Sequence, residues 1–282
     1  QQVVSRLINL CCWDCIVKMK NKMLFWKECS LFMNEYVKNL NRIEFVVTMA
    51  CTGKCKHCSE GDHINCKGHI DTELAVKSVR QICEKYKIES LMTFGGEPLI
   101  YPDIVCTIHK TATDMGIEKK QLITNGFFSK KRERIEEVVT MLEKSGVNSL
   151  LLSVDAFHQE TIPLEPVKYF AECVVKSKIP VKLGPAWLVS EEDNNPYNLK
   201  TKEVLGKFKD LHIPIGSGNI VFPSGNALKY LSEYFEDGVA YSSPYEEDIF
   251  DVRAISFSPN GDVLNGNINN NDIQDILESY RP

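Results

Sequence analysis

The chain has 282 residues, 43% of them hydrophobic, and carries 33 basic against 38 acidic side chains for a formal net charge of -5. That balance excludes a general binder of phosphate backbones, so nucleic acid is not an expected partner. The most apolar early stretch, Leu7 to Val17, is broken by Asp14 and falls far short of the roughly 20 residues a membrane helix needs, so no membrane partner is expected either.

Residues 1–42 mix apolar and basic side chains without a clean period and read as an N-terminal helical extension. From Ile43 the pattern becomes strand, loop, helix, repeated. Apolar or β-branched runs begin near Glu44, Glu89, Lys120, Val147, Val181 and Gly218, 27 to 45 residues apart, which are βα-unit lengths. The segments between them have helical spacing: Ala75, Val79, Ile82 and Tyr86 after Asp71, then Ile104, Val105, Ile108 and Ala112 between Pro102 and Gly116. Ile135, Val138, Val139 and Leu142 before Gly146, then Val167, Phe170, Ala171 and Val174, and then Val204, Leu205, Phe208 and Leu211 continue the series. Strands such as Phe45-Val46-Val47 and Leu150-Leu151-Leu152 are apolar without alternation, which predicts a parallel sheet covered on both faces. Periodicity leaves an open doubly wound sheet and a curved, incomplete relative of the eight-unit barrel equally available.

The βα rhythm defines a core over residues 43–222 and stops after Phe222. Residues 223–282 form a C-terminal extension, in which Ala254 to Ile268 reads as a hairpin: Ile255-Ser256-Phe257, a Pro259-Asn260-Gly261 turn, then Val263 and Leu264. A short helix over Asp272 to Tyr280 follows. The lack of an initial Met and an end just after a helical pattern read as a piece of a longer chain.

Eleven cysteines could be a disulfide framework, but such frameworks belong mainly to small secreted domains with weak cores. All but Cys173 fall within the first 106 residues, which places any metal centre early. Cys51-Thr52-Gly53-Lys54-Cys55-Lys56-His57-Cys58 follows the first strand directly, at the carboxyl edge where α/β sites form. Thiolates are soft ligands suited to iron–sulfur clusters or zinc, and three within eight residues reach one centre from a single loop.

The CxxxCxxC spacing, with the ring of His57 before the last Cys, resembles the signature of the radical SAM superfamily. Gly95-Gly96-Glu97-Pro98 at the end of the second strand resembles that family's GGE(P) motif, and Thr124-Asn125-Gly126 and Ser153-Val154-Asp155 are similar to its positions around the cofactor. The resemblance implies an incomplete (β/α)6 TIM-like barrel, with Cys51, Cys55 and Cys58 on three irons of one [4Fe-4S] cluster. The fourth iron is then left to S-adenosyl-L-methionine, whose cleavage yields a 5′-deoxyadenosyl radical that removes hydrogen from a substrate. It also implies cofactor contacts at His57, Gly95, Gly96, Glu97, Pro98, Asn125 and Ser153, with Glu97 meeting the ammonium and Ile220 to Phe222 beside the adenine. An electron donor such as flavodoxin or ferredoxin, and a cytoplasmic, reducing location, come with the resemblance.

Asp155 and His158 border the expected cavity after the fourth strand and are candidate catalytic residues, His158 as a proton carrier. Lys182 and Trp187 are candidate cavity residues. The competing reading of the cysteines, a closed zinc site completed by Cys66, His57 or His63, leaves Gly95 to Pro98 unexplained. Cys11, Cys12, Cys15 and Cys29 match no metal pattern, and Cys66, Cys83 and Cys106 read as packing residues.

The extension resembles that of radical SAM enzymes that modify peptides or proteins. Asn265, Gly266 and Asn267 stand where auxiliary-cluster cysteines would be, so a single cluster is expected. A peptide or protein is the expected substrate. A small metabolite is the alternative within the same chemistry, and a non-catalytic metal-binding or docking protein lies outside it.

Overall fold

The computed structural model describes residues 34–63, 66–236 and 247–282. Most of the expected N-terminal extension, with Cys11, Cys12, Cys15 and Cys29, lies outside the described residues. The core runs β1 (Arg42–Thr48), α1 (Thr72–Lys85), β2 (Ser90–Gly95), α2 (Pro102–Asp114), β3 (Lys119–Thr124), α3 (Arg132–Ser145), β4 (Ser149–Ser153), α4 (Ala156–Gln159), α5 (Leu164–Ser177) and β5 (Val181–Gly184). Local chemistry sets these boundaries. The Asp71 carboxylate caps α1 by accepting from Leu74 N–H at 2.9 Å, Pro102 opens α2, and Gly146 closes α3 in the left-handed conformation at φ 86°.

β1 to β5 pair in parallel in the order β5-β4-β3-β2-β1, which makes an α/β fold with an open, partial barrel sheet. Ile43, Phe45 and Val47 of β1 are buried, and Ala75, Val79 and Ile82 of α1, Val105 and Ile108 of α2, and Val138 and Leu142 of α3 join them in one core. A parallel sheet brings every strand's carboxyl end to one edge, so the loops carrying the cysteines, Gly95, Asn125 and Ser153 converge there.

Two expectations need correction. The expected sixth strand is only β7 (Asn219–Ile220), paired with β6 (Ala186–Trp187) and carried past β5 by a Leu183–Ile215 bridge. Helix α6 (Pro196–Gly206) lies between β6 and β7, and α7 (Gly225–Tyr230) follows them. The strand at Ala254–Phe257 (β8) does not pair back across the Pro259 turn: it joins the main sheet in parallel beside β1, with Arg42 opposite Ala254 and Phe45 opposite Phe257. The Phe257 ring stacks on Phe45 at 4.7 Å, and that burial outweighs a local hairpin. The hairpin proper is β9 (Asp262–Val263) with β10 (Gly266–Asn267).

The C-terminal segment is part of the same core. Ile273, Ile276 and Leu277 of α8 (Ile273–Ser279) are buried, and Asp272 caps the helix while pairing with Lys77 and Gln81 of α1. Asn34 donates to the carbonyls of Leu277 at 2.9 Å and Tyr280 at 2.8 Å, satisfying two of the acceptors a helix end leaves open.

His109 of α2 is fully buried, with Nε2 2.8 Å from Thr93 Oγ1 of β2. Burial first, and the Lys120 charge second, lower its pKa to about 3. The unfolded chain therefore takes up a proton near pH 6.5 that the folded chain refuses. The His109 contribution is complete above that pH and is lost as the pH falls from about 6.5 toward 3. Urea unfolding at pH 7 and pH 5 should show a loss of about 2 kcal/mol from this residue. His109→Gln should flatten the slope by that amount, and an unaltered slope would refute the assignment.

Candidate active site

The Cys51–Cys58 loop leaves β1 and is held from three sides. Gly96 N–H donates to Thr48 O and Glu97 N–H to Ala50 O, each at 2.8 Å, so the end of β2 is tied to the start of the loop. From the C-terminal extension, α7 sends Asn226 Nδ2 to Cys55 O at 3.1 Å and Asn226 N–H to Cys58 O at 2.9 Å. From the turn after α4, Thr161 Oγ1 accepts from Lys54 N–H at 3.0 Å.

The described cysteines are free thiols, Cys55 buried and Cys51 and Cys58 half-buried. Burial dominates their acidity: it pushes Cys51 up to about 11 and raises Cys55 and Cys58 as well. A buried thiol ionises readily only beside a cation, so three of them on one short loop suit a metal centre. Asn125 Nδ2 lies 3.6 Å from Cys51 Sγ and 3.2 Å from Thr52 Oγ1, and Cys58 Sγ lies 3.1 Å from His63 Nε2.

Gly95 and Gly96 leave no room for side chains. A Cβ on Gly95, whose φ is 133°, would sit 2.5 Å from Thr48 O, and one on Gly96 would sit 2.3 Å from Ala50 O. Glu97 is fully buried and already engaged: Oε1 accepts from Leu99 N–H at 2.9 Å and Thr124 Oγ1 at 2.7 Å, and Oε2 accepts from Asn125 N–H at 2.8 Å. Burial raises its pKa to about 7 against those three donors. Its carboxylate thus ties the ends of β2 and β3 together. Glu97→Gln puts an amide N–H against one of those donors and should cost roughly 2 kcal/mol. A urea midpoint equal to wild type would contradict that role.

Asp155 is also fully buried, and its carboxylate accepts from His158 N–H at 2.9 Å, His158 Nδ1 at 2.8 Å and Ala186 N–H at 3.2 Å. Burial alone would raise its pKa; the His158 charge and hydrogen bonds outweigh burial and hold it at about 2. His158 is raised in turn, because Asp155 overcomes the burial that opposes its charge. His57 is lowered to about 4 by burial, and its ring lies 4.7 Å from Phe157 and 5.0 Å from His158.

The structure gathers Cys55, His57 and His158, with ligand atoms within 4.8 Å of one another. Ser153 ends β4 and Pro98 opens a buried turn beside Gly96. Of the looser candidates, Lys182 is exposed, Ile220 is 48% exposed, and Trp187 is buried with Nε1 on Ser217 O at 2.9 Å. Cys83 and Cys106 pack against the core as expected. Sequence reasoning missed Asn226 and Tyr197, whose ring stacks on Phe157 at 4.7 Å. Asn226 lies 171 positions from its partner, and nothing local to it signals that contact.

The radical SAM superfamily model matches residues 45–177, from β1 to the end of α5. The probable GTP 3′,8-cyclase of Saccharolobus solfataricus is 25% identical over 224 residues, covering 72% of this chain and 67% of that protein. Among solved structures, Streptococcus suis SuiB bound to S-adenosylmethionine aligns with TM-score 0.59 at 16% identity over 86% of this chain and 66% of its own. A histidine-tagged anSMEcpe with bound AdoMet aligns with TM-score 0.57 at 14% identity over 84% of this chain and 79% of its own. The chain thus spans about two thirds of the cyclase and of SuiB, and at these identities the structural likeness is one of fold. The three-cysteine loop and the Gly95-Gly96-Glu97 turn, locked together at the edge of a parallel sheet, both lie inside the segment that the radical SAM superfamily model matches, and over that segment the chain is similar to that superfamily.

Proposed function

We propose that this chain binds one [4Fe-4S] cluster through Cys51, Cys55 and Cys58 and S-adenosylmethionine along the Gly95-Gly96 edge, and acts on a peptide or protein. The observation that carries the reading is the pair of backbone bonds joining that edge to the cysteine loop, which puts both binding elements in one rigid unit. When bound, the cluster and S-adenosylmethionine supply a carbon radical that removes hydrogen from unactivated positions. The protein's own part is positioning. Gly95 and Gly96 bare their backbone to the cofactor, Glu97 fixes the turn from behind, and Asn125 Nδ2 faces Cys51 Sγ. Ser153, Pro98 and the His57 backbone complete the proposed contacts.

Fold likeness to SuiB bound to precursor peptide SuiA, at TM-score 0.55 over 95% of this chain, supports the peptide reading. The sequence relatives named as GTP 3′,8-cyclases favour a small-molecule substrate and make it the second reading. A reduced flavodoxin or ferredoxin as donor, and a reducing cytoplasm, fit the same chemistry. Among the described residues, no helix is long and apolar enough to cross a membrane.

The test is anaerobic reconstitution with iron and sulfide, then S-adenosylmethionine and dithionite. About four irons per chain and 5′-deoxyadenosine detected by mass spectrometry support the reading. Iron near eight would overturn the single cluster, and no cleavage would overturn the enzyme. Adding GTP separates the substrates: consumption of GTP with 5′-deoxyadenosine release would replace the peptide reading by the small-molecule one.

A further inference from the structure

His57 and His158 stand outside the three-thiol set, yet they are packed around its most buried member. We propose that Cys55, His57 and His158 form a second metal site, which takes a zinc ion in the chain that lacks its cluster. Occupancy by zinc and by the cluster is then mutually exclusive, because both use Cys55.

Three independent features of the geometry point to it. The Cys55 Sγ and one nitrogen of each ring lie within 4.8 Å of one another. A tetrahedral site with bonds of about 2.3 Å to sulfur and 2.0 Å to nitrogen spaces its ligand atoms about 3.5 Å apart, so the three donors close on an ion with shifts of roughly 1 Å. Second, Asp155 engages His158 through Nδ1 at 2.8 Å, which leaves Nε2 as the nitrogen open to an ion, its proton being displaced on binding. A buried carboxylate on the far nitrogen is the arrangement that orients and strengthens a metal-bound imidazole. Third, His57 Nδ1 is sealed from solvent with no hydrogen-bond partner among the described residues, and a buried ring nitrogen without a partner is costly. A bound ion is one partner that relieves it.

One thiolate with two imidazoles is a borderline-soft set, which selects zinc over magnesium or calcium. Three protein donors leave the fourth position for water. Binding ionises the Cys55 thiol and releases its proton to solvent, and the zinc charge replaces the compensation a buried thiolate otherwise lacks. No electron is transferred. Zinc held here keeps Cys55 from oxidising and must leave before iron can be loaded. This inference does not depend on the proposed radical function, only on the residues around Cys55.

The experiment uses the full chain, stripped of metal anaerobically and titrated with zinc against a chromogenic chelator, with cobalt as the spectroscopic probe. One zinc per chain is expected, with a cobalt spectrum of one thiolate and two imidazoles. The Cys51→Ala/Cys58→Ala double variant cannot hold a three-thiolate centre and should bind zinc like wild type. His158→Asn retains a donor for Asp155 but lacks Nε2, and His57→Phe retains a ring against Phe157. Each should lose at least tenfold in zinc affinity, and Asp155→Asn should lose ten- to hundredfold. Far-UV circular dichroism identifies any variant that has failed to fold, and the remaining histidine variant then decides the matter. Zinc affinity that disappears in the double cysteine variant while both histidine variants match wild type would overturn the proposal in favour of a thiolate-only site. Failure to bind zinc in wild type would also overturn it. Neither result bears on whether iron and sulfide give 5′-deoxyadenosine formation, so the two readings fail separately.

Discussion

Cys55→Ala is expected to leave a folded chain that retains little iron after reconstitution and forms no 5′-deoxyadenosine above background. Cys55 is 7% exposed, set among Phe157, Ala186, Leu188 and Val221 where α7 grips the loop. Replacing its sulfur by hydrogen removes a small buried group, and large-to-small changes of that size cost on the order of 1 kcal/mol, well within a domain's stability. Catalysis has no such margin. With two thiolates left, a cluster loses one of its three protein anchors, and Cys51 and Cys58 sit at the two half-exposed flanks of the loop where solvent reaches them. Iron per chain and mass-spectrometric 5′-deoxyadenosine should therefore fall together, while far-UV circular dichroism and the urea midpoint stay near wild type. Product formation at the wild-type rate would mean that Cys55 is no ligand.

The features legible in the sequence were those set by neighbouring residues. Asp71 before an amphipathic run announced α1, Gly146 announced the end of α3, and apolar runs marked β1 to β5, because caps and periodicity are short-range effects. The cysteine spacing and Gly95-Gly96 could be read for the same reason. The partner of β8 could not: parallel pairing leaves no turn signature, and the Pro259-Asn260-Gly261 turn is real but leads only into the small β9–β10 hairpin. Ile255 and Phe257 bury themselves against β1, about 200 positions earlier in the chain, a distance over which no local pattern carries information.

The site shows the same division. The grouping of Cys51, Cys55 and Cys58 on one loop follows from their spacing, whereas the engagement of Glu97 by Leu99, Thr124 and Asn125 depends on β2 and β3 ending side by side. That crosslink forms only when both strand ends are in place, which no local pattern encodes. Asp155 and His158 were singled out for lying after β4, but their commitment to each other, with Ala186 N–H as a third partner, required the turn of α4 and the arrival of β6. Tertiary neighbours, not residue types, decide which polar groups remain available.

Gly96→Ala tests the tightest of these tertiary approaches and is expected to remove most activity without touching a ligand. A Cβ there meets Ala50 O at 2.3 Å, and Ala50 C and Met49 O each at 2.8 Å, all of them backbone. No rotamer change relieves a clash with backbone, so β2 and the start of the cysteine loop must separate. The bonds from Gly96 N–H to Thr48 O and from Glu97 N–H to Ala50 O lie at that seam and are strained or lost. Overpacking of a rigid site costs about 3 kcal/mol, and displacement of Cys51 by even 1 Å perturbs the geometry on which a positioned reaction depends. Iron retention should fall by half or more and 5′-deoxyadenosine formation by about a hundredfold. Gly206→Ala is the control, because a Cβ there has nothing within 4 Å and the residue closes helix α6. That change should leave activity intact and raise stability by a few tenths to 1 kcal/mol, since alanine favours a helix over glycine. Wild-type activity in Gly96→Ala would show that the two binding elements are not mechanically joined, and the coupling of the Gly95-Gly96 edge to the cysteine loop would have to be abandoned.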